Sequence, residues 1–273
     1  MATSTKKEQR REARERLHAE GEARARRARV RGRLLVGGSV AAVLALTAGV
    51  ALLAAESSGA AGGDEAAAAA GKPFVRPAHT TGEDGIVVPY GKPDAQHVLT
   101  IWLDPRCPFC AGAEQGLGAT IKEQADAGAY RVEYRFATFL DKALGGGKGS
   151  RRALGALGAA VNESPERFMD YLQVLSRNHP EQETDDKFGS TATLLELADQ
   201  VPGLRTPAFD QAVEEHTYMP WVEKVGRAFH DEGVEGTPAV FIDGKKITVN
   251  SGKGIESITP EAFKRLIEEN RTR

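Results

Sequence analysis

The stretch DPRCPFCAG, Asp104–Gly112, holds both cysteines of the 273-residue chain, Cys107 and Cys110. Ahead of it, QHVLTIWLD (96–104) is β-branched, aromatic and continuously apolar, the pattern of a strand buried on both faces. Behind it, AGAEQGLGATIKEQADAGA (111–129) has helical composition and reaches a glycine near its end. YRVEYRFATFL (130–140) then alternates as a second strand does. The cysteines therefore stand between a strand and a helix, inside a βαβ unit.

That placement separates three chemistries. A Cys-x-x-Cys opening a helix sets its first thiol among unpaired N–H groups at the positive end of the helix dipole, which favours thiolate. The second thiol, one turn in, can attack a mixed disulfide and release its partner. A zinc site needs four ligands, and no further cysteine or tight histidine pair is present, so no metal is expected. A purely structural clip this short stabilises by only about 2 kcal/mol. Redox exchange by Cys107 and Cys110, across Pro108 and Phe109, is the favoured reading.

Outward from this unit, the chain is polarised. Residues 1–33 carry 12 Lys/Arg against 5 Asp/Glu, although the whole chain is formally −2. Residues 34–55 (LLVGGSVAAVLALTAGVALLAA) hold no charge and are long enough to cross a bilayer, which needs roughly 20 helical residues. With the basic flank cytoplasmic, the remainder is expected outside the cytoplasm, on a single-pass signal anchor in the cell membrane. A cleaved signal peptide is the alternative, but its apolar region usually spans only about 7–15 residues. The basic arm fits a topology signal and anionic lipid better than nucleic acid, which is not an expected partner.

Residues 56–85 are rich in Ala, Gly and small polar residues and read as a flexible tether. The folded part is expected over 86–273, with a helical block at about 150–230. Ser150 and Ser164 are candidate N-caps, the latter followed by Pro165. PAVFIDG and KKITVNS read as strands joined by the turn Asp243-Gly244, and a last helix starts at Thr259-Pro260. GGGKGS (145–150) is not a phosphate loop, because Gly149 separates Lys148 from Ser150, and it reads as a mobile loop.

DPRCPFC, taken with EGTPAVFIDGK (Glu235–Lys245) far along the chain, resembles the DsbA branch of the thioredoxin superfamily, in particular its membrane-anchored actinobacterial members. The resemblance implies an α/β thioredoxin fold with an inserted helical domain. It also implies a cis Thr237–Pro238 bond, with Pro238 packed on the cysteine pair and the Thr237 backbone holding an extended substrate. The implied activity is an extracytoplasmic thiol:disulfide oxidoreductase, acting as an oxidase of cysteine-containing secreted or envelope proteins. A membrane reoxidase would restore the pair, and no dissociable cofactor is needed. Many strongly oxidising relatives have His where this chain has Phe109. Without that donor the thiolate, and with it the reduced state, is stabilised less. A reductase or isomerase therefore stays open, as does a non-catalytic binding protein on the same frame.

Other side chains have two readings each. Asp104 and Arg106 either solvate the loop or tune the thiolate. Glu133 is a solvated strand residue or a buried proton relay. Met219 and Trp221 pack in the core or, with Phe109, offer apolar surface to substrate. No dimerisation segment is evident between the tether and Gln96, and a monomer is expected.

Overall fold

The computed structural model describes residues 71–182 and 184–272. The basic arm, the apolar run and residues 56–70 of the tether lie outside the described residues. Among the described residues no helix is long and apolar enough to cross a membrane.

One sheet organises the fold, in the order β1-β3-β2-β4-β5. Its strands are β1 (Val88–Tyr90), β2 (Val98–Leu103), β3 (Arg131–Phe136), β4 (Ala239–Ile242) and β5 (Lys245–Ile247). Helix α1 (Pro108–Ala127) forms the crossover between the parallel pair β2 and β3, and the other pairings are antiparallel. Helix α1 stops where Gly128 turns left-handed (φ 85) and its N–H returns to Ala125 O. The β4–β5 turn is the expected Asp243-Gly244, both with positive φ as a I′ hairpin requires.

The inserted helices are α2 (Leu140–Ala143), α3 (Gly149–Glu163), α4 (Pro165–Arg177), α5 (Thr191–Ala198), α6 (Pro207–Glu214) and α7 (Met219–Asp231); α8 (Pro260–Asn270) follows the sheet. They close the core by shape and alternation. Leu99, Ile101 and Leu103 of β2, with Val132, Tyr134 and Phe136 of β3, are buried in one continuous cluster. Phe168 of α4 meets Tyr134 and Phe136 edge-on, at 5.5 and 6.1 Å. The opposite face has a smaller cluster in which Phe229 of α7 meets Trp102, also edge-on. Because β3 alternates, Arg131, Glu133 and Arg135 share that second face.

Several expectations change. The tether does not run to Gly85. Thr81 pairs with Val87, Ala78 N–H donates to Asn162 Oδ1 (3.0 Å), and Trp221 Nε1–H donates to Gly85 O (2.8 Å). These bonds and the buried Thr80 fix the segment on the inserted helices. β1 is a strand the sequence conceals: it is three residues long with Pro89 at its centre, tolerated because it lies at the sheet edge. The strand read over 130–140 ends at Phe136, and α2 begins at Leu140. Ser164 caps α4, accepting from Arg167 N–H (3.2 Å). Ser150 caps nothing. It lies within α3, whose first N–H groups are met by distant carboxylates: Asp186 takes Lys148 and Gly149 N–H, and Asp141 takes Ser150 and Arg151 N–H. Those bonds tie down the end of GGGKGS, so it is not a free loop.

Candidate active site

Cys107 is the N-cap of α1 and Pro108 its first helical residue, which needs no N–H there. The Cys107 side chain has no capping bond and instead faces the Thr237–Pro238 loop. That peptide is cis, and Cys107 Sγ lies 3.4 Å from the Thr237 carbonyl oxygen, to which it donates. Both thiols are free, and both are nearly enclosed, at 5% and 4% exposure. Phe109 between them is 41% exposed and sets an apolar surface at the mouth of the site.

The two thiols differ electrically. The Cys110 thiol donating to Cys107 holds the latter below the usual thiol range; burial opposes this, while the Thr237 side chain and the Cys110 N–H reinforce it. Burial pushes Cys110 well up, and the neighbouring Cys107 pushes it further. Of the two, Cys107 gives up its proton more readily, and Cys110 holds its own more firmly.

Asp104 and Arg106 are not solvated loop residues; both are buried. Asp104 accepts from Arg106 N–H (3.0 Å), Leu140 N–H (3.2 Å) and Ser150 Oγ (2.6 Å). Burial lifts its carboxyl to about 6 against these donors. The Arg106 guanidinium reaches Asp141 (3.2 Å), Gly146 O (3.3 Å) and Asp186 (3.4 Å). The turn before Cys107 is therefore anchored in α2, the glycine loop and the start of α3.

Glu133 is not a relay. It lies on the opposite face of the sheet, between Arg131 (3.7 Å) and Arg135 (3.9 Å). Met219 and Trp221 are fully buried core residues. Besides Asp104, a second buried acid lies near the pair: Glu114, one turn beyond Cys110 on the same side of α1 and 2% exposed. Gln173 Nε2–H donates to its Oε2 at 2.7 Å, and burial lifts its carboxyl to about 7. Gly118 makes this bond possible, because a Cβ there would fall 1.8 Å from Gln173 Nε2. The sequence signal was the spacing: Glu114 lies in the buried stripe with Leu117 and Ile121. Asp104, Cys110, Glu114 and Ser176 all border a cavity of about 20 Å³, walled by Leu157 and Leu172.

The loop after β5 also reaches this end of α1. A Cβ at Gly112 would fall 2.0 Å from the Ile255 carbonyl oxygen. Glycine there lets the backbone approach and sets Ile255, 48% exposed, near the start of α1.

The family model described as thioredoxin matches residues 82–269. Among solved structures, the chain is similar to oxidised DsbA of Mycobacterium tuberculosis, at 25% identity over 67% of this chain and 91% of that one, with TM-score 0.53. Reduced DsbG of the same organism matches at 25% identity, 68% and 87% coverage and TM-score 0.54. MdbA, a thiol-disulfide oxidoreductase from Actinomyces oris, shares the fold at 20% identity, 72% and 90% coverage and TM-score 0.56. No curated protein matches.

Proposed function

The chain belongs to the thioredoxin family, as a DsbA-like member of the superfamily, and from that premise we propose that it oxidises cysteine-containing secreted or envelope proteins through Cys107 and Cys110. One observation carries the reading: two thiols shifted in opposite directions at the start of α1, the lower one facing the Thr237 carbonyl.

In the oxidised enzyme a substrate thiolate attacks Cys107 Sγ. The bond to Cys110 breaks, and Cys110 leaves with the electron pair. Its high proton affinity makes it take up a proton at once, and Glu114, near neutrality in its titration, is placed to supply one through the shared cavity. That cavity has room for a single bridging water. A second substrate thiolate then attacks the substrate sulfur of the mixed disulfide. Cys107 departs as thiolate, a good leaving group because its proton affinity is low. The substrate has lost two electrons and the enzyme gained them. A membrane reoxidase accepts them, with the catalytic domain outside the cytoplasm. The Thr237 backbone offers an extended segment its hydrogen bonds, and Phe109 offers apolar contact.

The deciding measurement is the reduction potential of the pair. A value near −120 mV supports an oxidase, and one near −270 mV reverses the direction to a reductase. With the full chain, Cys107→Ala should abolish oxidation of a reduced model protein, and Cys110→Ala, whose lone Cys107 can only attack a disulfide already present in a substrate, should accumulate the mixed disulfide with a disulfide-bonded one. Retained activity in Cys107→Ala would overturn the nucleophile assignment.

A further inference from the structure

His179 lies in the turn after α4, half-buried, with both ring nitrogens against carbonyl oxygens: Nε2 is 2.9 Å from Arg106 O and Nδ1 is 2.8 Å from Pro180 O. A carbonyl only accepts, so each contact requires an N–H. Neutral imidazole has one and imidazolium has two. Both bonds are made together only by the charged ring.

We propose that His179 is a positioning residue of the thiol site: its imidazolium, delivered by the helical insertion, grips the carbonyl immediately before Cys107 and sets a positive charge beside the thiolate. The proposal rests on Cys107 being the exchanging thiol. The chemistry it adds is the cation that Pro108 and Phe109 do not carry. The grip also fixes the turn from which Cys107 enters α1.

The charged surroundings do not compete for this role. From the turn before α1, the Arg106 guanidinium is engaged by Asp141 and Asp186. From the short helical turn Lys187–Gly189, Lys187 Nζ donates to Asn178 O at 2.9 Å. The depression beside the ring is bordered by Arg177, Glu181 and Asp185, which are mixed in sign. Phe188 meets the ring edge-on. Both hydrogen-bond partners of the ring are carbonyl oxygens, and neither is an acid.

Mutual stabilisation of two charges must be reciprocal, so the thiolate should hold the proton on His179 as firmly as His179 holds the thiolate. The test follows the His179 ring by NMR against pH in the full chain, oxidised, reduced, and as Cys107→Ser. The expected result is a midpoint about half a unit higher in the reduced enzyme than in the other two, as for charges separated by several ångströms of partly screened protein. His179→Gln, which keeps one donor and no charge, should raise the Cys107 thiolate midpoint, read by ultraviolet absorbance, by a similar amount. That is about a threefold loss of thiolate at a pH below the midpoint. Identical His179 titrations in all three forms, or an unmoved Cys107 midpoint in His179→Gln, would overturn the proposal. Neither readout uses a protein substrate. If the coupling appears while no protein is oxidised or reduced, the functional reading fails and the His179 grip stands.

Discussion

The cavity behind Cys110 has two polar walls, and the chain equips them differently. On one wall, Asp104 has three donors and sits in a network with Arg106, Asp141, Ser150 and Asp186 that joins β2, α2 and α3. On the other, Glu114 has a single side-chain donor, Gln173, and the nearby Tyr134 hydroxyl is buried with no hydrogen-bond partner among the described residues. A richly bonded buried carboxylate is held in place; a sparsely bonded one is free to change its protonation at modest structural cost. The first wall anchors the turn before Cys107, and the second suits the proton exchange proposed for it.

The comparison can be broken most forcefully at the first wall. Asp141→Ala removes an ion partner of Arg106 and two acceptors at the start of α3, and should cost about 3–5 kcal/mol in urea unfolding, as losing half of a buried pair does. A cost under about 1 kcal/mol would mean that this wall is not an anchor.

The second wall should respond to pH. The folded Glu114 carboxyl is raised from its ordinary 4.5 to about 7. Its stabilising contribution is therefore complete below about 4.5 and is lost as pH rises through 7. At about 1.4 kcal/mol per unit, the whole effect is roughly 3 kcal/mol. Glu114→Gln should match the wild type near pH 4 and exceed it by up to that amount at pH 8. A shallower slope from Asp104, raised from 3.8 to about 6, should remain in the variant. Equal stability of the two proteins at pH 8 would contradict the assignment.

The same substitution should slow departure of Cys110 from its disulfide, on the order of tenfold to a hundredfold in single-turnover mixing near neutral pH. An unchanged rate with changed stability would leave Glu114 buried but idle. The smallest effect belongs to Tyr134→Phe. Removing a hydroxyl without a partner should shift stability by less than about 1 kcal/mol, in either direction. A loss of several kcal/mol would show that this hydroxyl is bonded after all.

Much of this architecture was legible because it is local. Cys107 between a strand and a helix, the Asp243-Gly244 turn, and the caps at Ser164 and Thr259 each need only a few adjacent residues; Thr259 indeed accepts from Ala262 N–H at 3.2 Å. What stayed hidden depends on distant partners. Asp104 and Arg106 look like loop solvation until residues 35 to 46 positions away close over them. Ser150 looks like a cap because its true function is to donate to Asp104, while remote carboxylates cap its helix. Glu114 looks like one more surface glutamate unless its register with Leu117 is followed. Pro89 disguised β1, since an edge strand alone can spare the missing N–H. Glu133 drew notice for being on a strand, but alternation put it on the wrong face.

The bonds that attach residues 72–85 to the inserted helices also define how this protein carries load. Lys72 reaches the Glu215 carbonyl at the end of α6, Ala78 binds Asn162 of α3, and Gly85 is held by Trp221 of α7. A pull arriving along the chain from its N-terminal side is taken up first by the helical block. Along the chain, those three fastenings come before β1, the sheet and the Cys107–Thr237 contact at its end.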